Sequence, residues 1–336
     1  MATSISSLFA RKPREVRRDA AAYGQPMINQ EMTGREWAIL LFLAVIWGGA
    51  FLFIGVAVRH VEPLTYVWLR LSIAALAMWL FLRLGGGKLD LPREVWASIL
   101  VLALLNNALP FTLFGWGQTH IASGLASILN ATTPIWGVLV AHAFTKDERM
   151  SPRKIAGVLL GFGGVAVMIG PSLLAKVGTD ALAQLACIAA SLSYAVAAVW
   201  ARRFRRLGIA PLSVTTGQLS AGALMMLPLA MLVDQPWTQP LPPLSAWAAI
   251  AALAVLCTAI GYVLYFRLID SAGATNALLV TLLVPPFAIL FGGLFLDEVL
   301  APQDFAGLAL IAVGLAAIDG RVFRLLRPGR AATSLR

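Results

Sequence analysis

Charge is scarce in this chain. Asp, Glu, Lys and Arg make up 12% of its 336 residues, against about a quarter in soluble domains. Hydrophobic residues account for 59%, and the mean hydropathy is +0.81. So little charge excludes a soluble globular chain and indicates a polytopic membrane protein. Cysteine is scarcer still: Cys187 and Cys257 both fall in apolar runs, which leaves no disulfide framework. His60, His120 and His142 are scattered near the ends of such runs and form no metal set with the cysteines. A nucleotide-hydrolysing module is excluded as well, because Gly85-Gly86-Gly87-Lys88 is followed by Leu89 and not by the Ser or Thr of a phosphate-binding loop. None of the 16 Asp and Glu lies at mid-span, so the buried carboxylate that commonly relays protons is missing. No cofactor is expected.

Apolar sequence is abundant. Stretches close to the ~20 residues that cross a bilayer as helix begin near Trp37, Leu64, Val95, Ile121, Lys154, Asp180, Pro211, Ser245, Gly273 and Asp304. This predicts an all-α integral membrane fold of ten transmembrane helices, the runs after Lys154 and Asp304 being short. The few charges sort by side. With the N-terminus inside, all but Arg59, Arg70 and Lys176 of the 26 Lys and Arg fall in cytoplasmic segments. The net charge of +10 then follows from topology and contact with anionic membrane lipid, and no nucleic-acid partner is needed. Both termini are expected on the cytoplasmic face of a bacterial-type inner (plasma) membrane. Residues 1–35 read as a disordered basic tail without signal-peptide features, and 321–336 as a second basic tail.

The chain repeats itself. Asp147-Glu148, Pro152, Ala156-Gly157, Leu160, Gly164 and Gly170 recur as Asp297-Glu298, Pro302, Ala306-Gly307, Leu310, Gly314 and Gly320, at a constant spacing of 150 residues. The first copy carries Lys146, Arg149, Arg153 and Lys154, whereas no Lys or Arg lies between Arg267 and Arg321. One copy is therefore expected inside and the other outside. A second match aligns Pro63 with Pro211 and Arg70-Leu71-Ser72 with Gln218-Leu219-Ser220. Two halves of five spans each, 36–171 and 178–320, must then insert in opposite senses, as in secondary transporters.

With Trp47-Gly48-Gly49-Ala50-Phe51 in the first span, Arg70 in the second, and Pro134 followed by Glu148, Pro152 and Gly157, the chain resembles the EamA family of the drug/metabolite transporter superfamily over roughly residues 37–320. The resemblance implies ten helices in two inverted five-helix EamA-type repeats. Four helices of each half would surround a central cavity, with the fifth and tenth at the periphery. Members export amino acids and other metabolites or amphipathic drugs, and some import solutes. The second half departs from the pattern, carrying Ser191-Leu192-Ser193-Tyr194 where an aromatic-glycine motif is expected.

Few residues could contact a solute. Arg70 is the charge deep within a span, and a charge there costs about 2.5–3.5 kcal/mol on insertion scales. It is expected either to hold a substrate carboxylate or to snorkel outward as a clamp, pairing with helix-end carbonyls or Glu62. Asn106 and Asn107 in the third span and Asn130, Thr132 and Thr133 in the fourth are expected near mid-membrane. There they could meet one another across adjacent antiparallel helices or face substrate. Gln218 occupies the position matched to Arg70. Among aromatic residues Trp47, Phe51, Trp116, Tyr194 and Tyr262 are candidates for the cavity wall, where rings suit amphipathic solutes. Pro110, Pro134, Pro285 and Pro286 each remove a backbone donor and are expected to break or hinge their helices, freeing carbonyls. Gly157 and Gly161, echoed by Gly307 and Gly314, allow close helix approach, within the chain or in a homodimer. Glu148 and Glu298 stand at helix ends, as caps, loop ion pairs or gating groups.

The leading expectation is a secondary transporter working by alternating access around a midplane cavity, an exporter of small metabolites such as amino acids or amphipathic compounds. The alternatives are an importer of the same fold and a membrane enzyme acting on lipid-linked substrate, against which the dispersed histidines argue.

Overall fold

The computed structural model describes residues 32–89, 91–144, 151–174, 179–277 and 279–319. Residues 1–31 of the first tail, the whole of the second, and Asp147 and Glu148 lie outside the described residues, while the first helix already begins at Gly34, within the stretch expected as tail. Helix starts follow from local chemistry. The first helix, α1 (Gly34–Ala57), is opened by a capping box in which Thr33 N donates to Glu36 Oε2 at 2.8 Å and Glu36 N donates to Thr33 Oγ1 at 3.4 Å. α2 (Pro63–Leu84), α5 (Pro152–Leu174), α7 (Pro211–Asp234) and α10 (Pro302–Asp319) each begin on proline, which lacks an N–H that the first turn could not use and has its φ already set. These are the prolines paired by the repeat, so the repeat preserves helix starts.

The remaining helices are α3 (Arg93–Gly117), α4 (Ser123–Phe144), α6 (Thr179–Arg206), α8 (Leu244–Ala272) and α9 (Val280–Phe295). Every regular element among the described residues is helical. α1 to α4 and α6 to α8 are seven helices long and apolar enough to cross a membrane. Where the sequence predicts further spans, α9 and Pro302–Ile318 are apolar but shorter, because a separate short turn, Ala274–Ala277, precedes α9 and Pro302 sets the start of α10. Leu76, Leu159, Leu224 and Val313 are left exposed, an outer surface suited to lipid. The protein is an integral membrane protein of helices.

Sequence neighbours are not the main packing partners. α1 packs on α8 and α9, and α6 on α3 and α4. α2 packs on α7 and α8, α7 also on α3, and α5 on α10. Close approach of α1 to α9 requires Gly48, where a Cβ would lie 2.5 Å from Phe287 Cβ and 3.1 Å from Ala288 N. The α5–α10 pair is closer still. A Cβ on Gly157 would lie 2.5 Å from the Gly314 carbonyl oxygen, and one on Gly164 2.7 Å from that of Gly307. Gly161 faces Ile135 as well as Gly314. The glycine faces offered by the sequence for a homodimer are thus taken up within the chain.

Three stretches wind as π-helix: Leu104–Ala108 in α3, Ala230–Asp234 at the end of α7, and Ala252–Ile260 in α8. Pro110 explains the first, since its ring displaces the carbonyl four residues back, at Asn106. Pro134 acts similarly: α4 is interrupted at 131–132, and the carbonyl of Asn130 is taken by Thr133 Oγ1 at 2.7 Å. Pro285 and Pro286 do not break their helix, contrary to expectation. α9 runs through both, where α1 packs against Val284, Phe287 and Ala288 at Gly48; tertiary packing there outweighs the lost donors.

Candidate functional site

The polar residues of α2, α3, α7 and α8 meet at one junction. Asn106 Nδ2 donates to Gln218 Oε1 at 3.3 Å and to Tyr262 Oη at 3.1 Å. The Tyr262 hydroxyl in turn donates to Asn107 Oδ1 at 3.4 Å. Both asparagines sit in the π-helical turn, which widens the helix and turns consecutive side chains toward the same partners. Asn107 is fully buried, and its Nδ2 has no hydrogen-bond partner among the described residues. An orphaned buried donor costs about 1–3 kcal/mol.

Arg70 belongs to the same junction. It is 6% exposed, its Nε donates to Thr258 Oγ1 at 3.1 Å, and its Cζ lies 3.6 Å from the Phe111 ring centroid. The Tyr66 hydroxyl lies beside it and donates to the Phe111 carbonyl at 2.9 Å. The clamp to Glu62 expected as one alternative does not form: Glu62 stands exposed at the start of α2, two turns away, and the guanidinium is directed inward by the Phe111 face. Among the described residues no carboxylate pairs with Arg70. Thr258, which orients it, also donates to the Leu253 carbonyl at 2.7 Å, a bond that stabilises the π-turn of α8.

A row of rings adjoins the junction. Phe51 meets Phe114 edge-on at 5.7 Å, and Phe114 stacks on Tyr194 at 6.2 Å. Trp47 is held apart from this row by a hydrogen bond from its Nε1 to the Cys257 carbonyl at 3.1 Å and by contact with Tyr265 at 5.2 Å. Trp116 does not reach the junction. It is the penultimate residue of α3 and packs on His120 at 4.9 Å, because α3 extends well beyond the π-turn.

The two amide pairs also fail to meet. Asn130 and Thr133 bond to each other, and α6 packs along both α3 and α4, occupying the space between them. Its contacts explain the departure of Ser191-Leu192-Ser193-Tyr194 from the aromatic-glycine pattern. Ser193 Oγ donates to the Leu105 carbonyl at 2.7 Å, freed by the π-turn, and Ser191 Oγ to the Leu129 carbonyl at 3.1 Å, beside the break in α4. Removing Ser193 would orphan a buried carbonyl; Ser193→Ala is expected to lower stability by about 1–3 kcal/mol, read as an earlier thermal unfolding midpoint in detergent.

Two carboxylates cap helices of the other half. Asp234 Oδ2 accepts from Thr65 N at 2.7 Å and Thr65 Oγ1 at 2.9 Å. Glu298 accepts from Ser123 N at 2.9 Å, Ser123 Oγ at 2.7 Å and Gly124 N at 3.3 Å. Each meets the positive end of a helix that has no side-chain cap of its own. Among the described residues no group of three His, Cys, Asp or Glu could hold a metal ion.

The junction joins residues of both halves around the one donor orphaned there among the described residues, Asn107 Nδ2. The model of the EamA-like transporter family matches residues 35–170 and 181–318. The "Uncharacterized transporter YoaV" of Bacillus subtilis is 25% identical over 281 residues, 82% of this chain and 94% of its own. A "Probable terminal-alkyne amino-acid exporter" of Streptantibioticus cattleyicolor is 28% identical over 303 residues, 88% of this chain and 97% of its own. A solved crystal structure with 21% sequence identity superposes at a TM-score of 0.60, covering 85% of this chain and 98% of that one, which shows a shared fold. With the family model matching both halves, the chain belongs to the EamA-like transporter family and is a membrane transporter, not an enzyme.

Proposed function

We propose that the protein exports small metabolites, amino acids or amphipathic compounds, across a bacterial-type inner membrane by alternating access between two inverted five-helix repeats. The observation that carries this reading is the junction itself. A buried guanidinium with no carboxylate partner among the described residues and an orphaned amide donor lie beside the stretches where α3 and α8 unwind, between the two halves. Irregular backbone at depth is tolerated where it lines a site. The packing supports the repeat. Exchanging α1 with α6, α2 with α7, α3 with α8, α4 with α9 and α5 with α10 carries each major contact onto another. The name of the Streptantibioticus relative favours amino acids, whose carboxylate would be received by Arg70 and Asn107. Counterflow tests the reading. Proteoliposomes preloaded with unlabelled amino acid take up labelled amino acid, and Asn106→Ala/Gln218→Ala, still folded, does not. Absence of exchange with amino acids and with amphipathic compounds in well-folded protein would set the substrate reading aside.

With the Arg-rich end of α6 placed in the cytoplasm, Asp234 and Glu298 stand at the external face and close it by cross-half hydrogen bonds. Asp234→Ala/Glu298→Ala is expected to favour external opening. In a cysteine-free background, a cysteine placed at Gln118 should then react severalfold faster with a membrane-impermeant maleimide added outside. An unchanged rate would remove both carboxylates from the gate.

A further inference from the structure

Between the ends of α3, α4 and α6 lies a cavity of about 840 Å³, within the range that holds drug-sized ligands. Val101, Leu105, Val140 and Val199 line it, with Arg203 and Arg206. Leu105 in its lining directly precedes Asn106 of the junction in α3. The arginines fit topology and lipid contact, but Arg203 is held in a way neither role requires. Its Nη1 donates to Ser98 Oγ at 3.1 Å and its Cζ lies 3.1 Å from the Trp200 ring centroid, while Trp200 Nε1 donates to the Ser98 carbonyl at 3.0 Å. A topological marker needs no such bracing, as the neighbouring exposed Arg205 illustrates. Among the described residues neither Arg203 nor Arg206 pairs with a carboxylate.

A braced guanidinium with donors to spare suits a carboxylate or phosphate. An apolar wall suits a hydrocarbon or aromatic body. We infer that this cavity binds amphipathic organic anions, the acidic group on Arg203 and Arg206 and the apolar body along Val101, Leu105 and Val140. It serves as the cytoplasmic entry to the junction, a role that rests on the transport reading above. The anion has two sources, a soluble alkyl or aryl carboxylate and an anionic phospholipid of the bilayer.

Binding is tested on full-length protein in phosphatidylcholine nanodiscs by titration with 1-pyrenebutyrate, read as energy transfer from tryptophan. A saturable component is expected, absent with 1-pyrenebutanol and weakened at least tenfold in Arg203→Gln/Arg206→Gln. Because Arg203 is braced, Arg206→Glu alone provides a second variant at an exposed residue, expected to weaken binding severalfold in protein that remains monodisperse. Affinity unchanged by added phosphatidylglycerol supports the site with a soluble anion as its ligand, and competitive loss supports it with the lipid headgroup. Equal saturable binding of pyrenebutanol, or affinity unchanged in both variants, overturns the inference. Since binding is read at equilibrium, its failure with counterflow intact defeats this inference alone, and the converse result defeats the transport reading.

Discussion

Arg70→Gln is expected to abolish most exchange while leaving the protein at least as stable as the parent. The two effects separate because the guanidinium is buried without a carboxylate partner among the described residues. Its charge is offset by the Phe111 ring, a hydrogen bond to Thr258 and the Tyr66 hydroxyl beside it, and a charge at such depth costs about 2.5–3.5 kcal/mol. Glutamine keeps an amide donor in reach of Thr258 and removes that cost. A bound carboxylate, however, loses a charge-assisted hydrogen bond of about 1.5–3 kcal/mol. At about 1.4 kcal/mol per factor of ten, the substrate concentration for half-maximal counterflow should rise roughly ten- to a hundredfold. Arg70→Lys keeps the charge but not the planar fork or the ring stacking, and should recover part of the loss. The measurement pairs initial counterflow rates in proteoliposomes with thermal unfolding of the same preparations. Parental exchange in Arg70→Gln would show that the guanidinium does not touch the solute, and lost stability would make it structural.

The residues that form the junction were conspicuous in the sequence for one physical reason. Arg70, Asn106, Asn107, Gln218 and Tyr262 are polar groups in runs long enough to lie in hydrocarbon, where a polar group needs a partner. What they pair with was not legible. Thr258 and Phe111 are ordinary residues for apolar spans, and their roles depend on the depth at which α2 crosses α3 and α8. The π-turn of α8 has no proline to announce it; it is held by Thr258 and by Trp47 donating to the Cys257 carbonyl. Expecting Asn130 and Thr133 to meet Asn106 assumed that consecutive helices are neighbours. In this fold α6 separates them; its Ser193, visible only as a departure from a motif, satisfies the Leu105 carbonyl that the π-turn sets free, and its Ser191 adds a bond to the Leu129 carbonyl beside the break in α4. Pro285 and Pro286 mislead in the opposite direction as helix breaks, because a proline reports a missing donor and not whether the helix continues through it. Glu298 was visible as a helix-end acid, but the helix it caps, α4, is 175 positions away in the chain.

Gly314→Val should cost the protein more stability than any change at the junction, yet leave exchange per folded molecule near the parental rate. A Cβ at Gly314 would lie 2.6 Å from the Gly157 carbonyl oxygen and 2.9 Å from Gly161 N. Both obstacles are backbone, so no rotamer change relieves them, and α5 and α10 must separate. Overpacking of a close interface costs typically about 1–3 kcal/mol, and loss of the dispersion contacts along the pair adds to it. Gly157→Leu, whose Cβ would meet the Gly314 carbonyl at 2.5 Å, should behave alike, and the double variant should be worse than either single one. Function is spared because α5 and α10 pack chiefly on each other and contribute no residue to the network of Arg70, Asn106, Asn107, Gln218, Thr258 and Tyr262. Unfolding midpoints and monodisperse yield report the first effect, and counterflow normalised to monodisperse protein reports the second. If normalised exchange falls in step with stability, the pair takes part in the transport cycle. Rocking of the repeats would then pass through the glycine contact, which could no longer be regarded as a fixed seam at the edge of the molecule.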